Sequence, residues 1–103
     1  MRTLTTTIKR RWLAKIIAGT KKVEYREMKP YWQRRIGMTL CPFRLRLING
    51  MSKTAPEVTV LIDKVSVGCQ PGDLAPPWLA YRLHIAKVLS HRNWDKKRGI
   101  PSQ

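Results

Sequence analysis

Acidic side chains are scarce in this chain of 103 residues: six aspartates and glutamates stand against 21 lysines and arginines, a formal charge of +15 at neutral pH. Such a field attracts polyanions and speeds encounter with them, nucleic acid or nucleotide first and an acidic membrane surface as the bland alternative. Histidine is rarer still. His84 and His91 have no partner at metal or triad spacing, so both are expected to be structural. The two cysteines, Cys41 and Cys69, have no CxxC spacing and no neighbouring histidine, which excludes a recognisable zinc site. They could pair in an oxidising compartment. Met1 to Thr7, however, has no apolar core of the length a secretory leader needs, so reduced, buried cysteines in a cytoplasmic protein are expected. No apolar run approaches the length of a membrane span, no internal repeat is present, and the chain leaves little room for a second domain. Apolar residues, at 43%, still suffice for a packed globule with a small aliphatic core.

The periodicity divides the chain into short elements. Arg2 to Ile8 is threonine-rich and β-branched, as a short opening strand would be. Ile8, Trp12, Leu13, Ile16 and Ile17 then recur at helical spacing, with Lys9, Arg10, Arg11 and Lys15 facing elsewhere, and Gly19 is placed to end that helix. Val23 to Arg26 reads as a brief strand. Pro30 suits a turn or the first turn of a second, short helix over Tyr31 to Ile36, stopped by Gly37. Phe43, Leu45 and Leu47 alternate with Arg44 and Arg46, a half-buried strand with an outer row of cations. After turn residues at Asn49 to Lys53, a longer strand runs from Glu57 to Val67. Its apolar parity shifts between Ile62 and Val65, which predicts a bulge or bend near Asp63. A proline-rich loop from Cys69 to Pro77 leads to a closing strand through about Leu89. Residues 1–90 are thus expected to form one α+β domain, a closed or nearly closed barrel of five to six strands with one main amphipathic helix and a short second one. Residues 91–103 are expected to be a basic, solvated tail with Trp94 as its one possible anchor, able to add salt-sensitive affinity for RNA.

Between Gly19 and Arg26 the residues Gly-Thr-Lys-Lys-Val-Glu-Tyr-Arg fit the pattern G-x-K-x-x-E-x-R, at the end of a helix and running into a strand. With Tyr31-Trp32, Arg35, Asn49-Gly50, Ser52-Lys53, Ala55-Pro56 and the strand around Ile85, this resembles the small ASCH domains of bacteria and their phages over roughly residues 3 to 89. The resemblance implies a PUA-like β-barrel with a cleft beside the helix and a role in binding or processing a modified nucleoside or RNA. Some members hydrolyse the acyl amide of N4-acetylcytidine, and others have been proposed as RNA-binding proteins or ribonucleases. No metal and no organic cofactor is implied.

The lysine proposed as catalytic in the amidohydrolase members matches Lys21. Taken out of water at the junction of helix and strand, a lysine acts as a base or stays charged and holds an oxyanion; the alternative is a solvated lysine beside Lys22. Glu24, three residues on, can activate water if it shares the cleft, or it can form an ion pair with Lys21 or Arg26 that only fixes the loop. The characterised amidohydrolase has a threonine nucleophile at the position of Glu24, so hydrolysis here would go through water. A third carboxylate expected in that subgroup has only Glu57, Asp63 and Asp73 as candidates. Arg26 would buttress Glu24 or grip the ligand. Tyr25 and Trp32 are candidates for stacking on a base, with Tyr31 beside them, and Asn49, Ser52 and Lys53 are candidates to complete the site. Asn49 reads first as a turn residue before Gly50, and Trp12 first as core.

Overall fold

A computed structural model of the chain describes residues 1–69 and 79–102. The elements follow in the order β1 (Thr3–Thr7), α1 (Arg10–Ala18), β2 (Val23–Glu27), α2 (Pro30–Gly37), β3 (Phe43–Ile48), β4 (Glu57–Cys69), β5 (Leu79–Arg92), β6 (Trp94–Asp95) and β7 (Ile100–Pro101). The chain is a small α+β fold whose described residues form two helices and one main sheet of five strands, ordered β1-β3-β4-β5-β2. Among the described strand pairs of this sheet only β1–β3 is parallel. Most of the loop foreseen after Cys69, and the carboxylate Asp73 within it, lie outside the described residues. Among the described residues no helix is long and apolar enough to cross a membrane.

The core follows from alternation on the strands and from the apolar face of α1. Phe43, Leu45 and Leu47 on β3 face Val58, Val60 and Ile62 on β4, all fully buried, and Leu13, Ile16 and Ile17 of α1 are buried with them. Asp63 is skipped in the ladder: Ile62 pairs with Ile85 and Lys64 with His84. Two further register shifts, at Thr59/Val60 and Leu61/Ile62, bend the long β4–β5 pair.

Gly19 ends α1 with φ 84°, and its N–H and that of Thr20 bond back to Ile16 and Lys15. This left-handed cap turns the chain at once into β2, and the N–H of Lys21 also reaches the Lys15 carbonyl. The helix end therefore fixes where the Lys21 side chain starts.

Three expectations need correction. Among the described residues the backbone ladder does not close into a barrel, because β1 and β2 are the two edges of the sheet. Arginine side chains reach the free side of β1 instead: Arg35 donates to the carbonyl of Thr5 at 3.0 Å and Arg26 to that of Thr7 at 2.9 Å. Secondly, the C-terminal segment is not a solvated arm. β5 runs on to Arg92, Trp94 is 6% exposed within the core, and β6 pairs with β7. Asn93, with φ 58°, makes the turn and bonds to the Ala55 carbonyl. Thirdly, both cysteines are exposed free thiols, Cys41 in the loop before β3 and Cys69 at the outer end of β4.

Because Trp94 fills core volume, Trp94→Ala is expected to cost about 3 kcal/mol in urea unfolding. A loss below about 0.5 kcal/mol, the range of ordinary surface changes, would show that the tail does not belong to the folded unit.

Candidate functional site

Glu24 is the one buried charged residue among those described, at 5% exposure. It sits on β2 opposite Leu83 of β5, on the strand face it shares with Arg26. A carboxylate so removed from water needs cations or several donors around it. Two cations supply this. Lys21 Nζ lies 3.3 Å from Oε1, and Arg26 Nη2 donates to Oε2 at 2.5 Å. All three side chains are largely sheltered, at 14% exposure for Lys21, 17% for Arg26 and 7% for Glu24.

Each cation also has a second anchor. Lys21 Nζ donates to the Val23 carbonyl at 2.5 Å, its one side-chain hydrogen bond among the described residues, so the ammonium keeps donor capacity beside its ion pair with Glu24. The same ammonium lies 5.3 Å from the Trp12 ring centre and 5.2 Å from that of Tyr25, so it is held between two aromatic rings. Arg26 spans Glu24 and the Thr7 carbonyl and stacks 5.2 Å from the Trp32 ring. Its Nε is buried with no partner among the described residues, as are those of Arg35 and Arg82.

These groups surround a pocket of about 450 Å³ between the ends of the edge strands. Thr7, Ile8, Lys9 and Trp12 line it from the β1–α1 side, Lys21, Glu24, Tyr25 and Arg26 from the β2 side, and Asn49 from the end of β3. Asn49 Nδ2 donates to the Ile8 carbonyl at 2.9 Å and Oδ1 accepts from Arg10 Nε at 3.1 Å. It is therefore both a turn residue and a pocket wall. A polar planar ligand there would meet the Trp12 and Tyr25 side chains, an anchored ammonium and an anchored carboxylate.

Of the eight candidate residues, Lys21, Glu24, Tyr25, Arg26 and Asn49 meet in this pocket. Trp32 does not line it, and it reaches the site only as the surface behind Arg26. Its neighbour Tyr31 packs edge-on against it at 5.0 Å under Arg35. Ser52 and Lys53 do not join the pocket either. They line a second depression of about 380 Å³, with Thr5, Thr6, Arg46, Glu57 and Arg92, and Thr7 is common to both. The turn after Asn49 carries Gly50 with φ 119°, and beyond it Ser52 and Lys53 line the second depression rather than the first. Neither alternative carboxylate reaches the first pocket. Glu57 is gripped by Arg46, Nε to Oε1 at 3.1 Å and Nη2 to Oε2 at 2.8 Å, and Asp63 is exposed on β4. Glu57, by hydrogen bonding first and charge second, raises the pKa of the Arg46 guanidinium above its ordinary value, so the side chain stays a cation.

Trp12, Lys9 and Thr7 escaped the reading of the sequence. Trp12 sits on the apolar helical face, which marks core, yet it is only half-buried and turns part of its ring to Lys21. An amphipathic indole flanked by Arg11 and Lys15 is the one signal that could have flagged it. Among the described residues no group of three potential metal ligands forms. No family model, no curated protein and no solved structure matches the chain.

Removing Arg26 strands a buried carboxylate on one cation and frees the Thr7 carbonyl. Arg26→Ala is expected to cost about 3 kcal/mol in chemical denaturation, whereas Lys22→Ala, at an exposed neighbour, stays within about 0.5 kcal/mol. Equal costs for the two variants would remove the ion-pair cluster from the fold's support.

Proposed function

We propose that the chain is an ASCH-type, PUA-like domain of the cytoplasm and that its pocket hydrolyses the acyl amide of an N4-acylated cytosine nucleoside such as N4-acetylcytidine. The observation that carries this reading is the sharing of one sheltered pocket by the Lys21 ammonium and the Glu24 carboxylate, between two aromatic rings. The pattern from Gly19 to Arg26 supports it independently.

In the proposed reaction the base lies beside Trp12 and Tyr25, with its acyl carbonyl at the Lys21 ammonium. Water at Glu24 Oε1, the oxygen with the longer contact at 3.3 Å, loses a proton to the carboxylate as it attacks the carbonyl carbon. The carbon–oxygen bond forms, and the ammonium of Lys21 holds the resulting oxyanion. The carbon–nitrogen bond then breaks as Glu24 returns the proton to the exocyclic nitrogen. One water is consumed, and a carboxylic acid and the free cytosine amine are released. Arg26 keeps the carboxylate in place through Oε2.

A second reading is a non-catalytic RNA-binding module using the same cleft, favoured by the charge of +15. The two differ in a simple assay. Incubation of the purified protein with N4-acetylcytidine should shift the ultraviolet spectrum to that of cytidine. Lys21→Ala and Glu24→Gln, checked for folding by circular dichroism, should each lower kcat/KM by roughly a hundredfold or more. Absence of turnover in the wild-type protein, with salt-sensitive RNA binding intact, would replace the enzyme by the binding module; full turnover in Lys21→Ala would remove that lysine from the chemistry.

A further inference from the structure

We propose that the second depression is a phosphate subsite, so that the ligand of this protein is a single-stranded polynucleotide whose base enters the first pocket while an adjoining phosphate occupies the second. The proposal rests on the reading of the first pocket as a nucleobase site and names the class of molecule that carries the base.

The two sites adjoin along the chain and at the surface. The first takes its walls from Thr7 to Lys9 and from Asn49, and the second from Thr5 to Thr7 and from Ile48, Gly50 and Met51. Thr7 belongs to both, so a ligand filling one reaches the other across a single residue of the β1 edge.

Their chemistry differs in the way base and backbone differ. The first contains Trp12 and Tyr25, flat surfaces for a base. Among the described residues the second has no aromatic in its lining and offers Arg46, Lys53 and Arg92 against the carboxylate of Glu57. Arg46 is fixed by its two bonds to that carboxylate, and its remaining Nη1 group is left to donate. Arg92 pairs with Glu57 in the β4–β5 ladder and is exposed, as is Lys53 on the turn before β4. A preset guanidinium beside two exposed cations suits a phosphodiester. A base can enter the first pocket only when it is unpaired, which selects a single strand.

The test is fluorescence anisotropy with a labelled hexacytidylate RNA, titrated at several salt concentrations against the whole chain. Lys53→Ala/Arg92→Ala should weaken binding about tenfold and lower the slope of log affinity against log salt by roughly 1.4, two single-strand phosphate contacts. A control pair, Lys64→Ala/Lys87→Ala, removes the same charge from exposed positions outside both pockets and should change affinity by less than about twofold. Cytidine 5′-monophosphate should compete far more weakly than the hexamer. Equal weakening by the two pairs, or none by either, would overturn the subsite and leave only a general field; competition by the monophosphate on a par with the hexamer would overturn the polynucleotide. Wild-type turnover of free N4-acetylcytidine is read separately. A protein that binds the hexamer through Lys53 and Arg92 but cleaves no acyl nucleoside keeps the subsite and loses the hydrolase. One that cleaves the nucleoside but binds the hexamer indifferently to those residues keeps the hydrolase and loses the subsite.

Discussion

A carboxylate at 5% exposure sets the terms for this end of the molecule. Glu24 is held on a central face of the β2–β5 pair, and its charge is tolerable there only because Lys21 and Arg26 each take one of its oxygens. Those cations come from different constraints. Lys21 is delivered by the left-handed cap at Gly19, and Arg26 by the two-residue repeat of the strand itself. Arg26 then does more than balance charge, since its bond to the Thr7 carbonyl links the edge strands that no backbone ladder joins. The pocket is the space left where side chains rather than main chain span that gap.

The same economy recurs along β1. The Thr5 and Thr7 carbonyls on its free side are taken by Arg35 and Arg26, and both guanidinium groups lie against Trp32. A row of unpaired strand groups would otherwise invite pairing with another chain. On the neighbouring surface Arg46 and Glu57 form a second fixed pair across β3 and β4. A chain with so few acids spends two of them, Glu24 and Glu57, on clamping arginines beside a depression. The rest of its positive charge is left largely uncompensated, which is the electrostatic basis for a polyanionic ligand.

The regular elements were legible because each has one dominant signal. The 3.6-residue spacing of Leu13, Ile16 and Ile17, the alternation of Phe43, Leu45 and Leu47, and the parity shift at Asp63 all reappear in the structure. The meeting of Lys21, Glu24 and Arg26 was also readable, since short spacing across a helix cap and strand leaves few geometries. What failed was long-range. Nothing local distinguishes Trp94 in a polar tail as core until Asn93 turns it back toward Ala55. Ser52 and Lys53 follow Asn49 closely in sequence, but beyond Gly50, with its positive φ, they line the second depression instead. Sequence parity placed Trp12 inside, although an indole is large enough to serve core and pocket together.

If the buried carboxylate exists to hold a ligand rather than only a loop, the chain should recognise a cytosine base where the two edges meet. Nuclear magnetic resonance titration of the ¹⁵N-labelled protein with cytidine asks this directly. The account predicts the largest shifts at the Trp12 indole N–H and at the backbone amides of residues 21 to 26, saturating together. No saturable shift at those groups, or shifts centred on another face of the sheet, would contradict it.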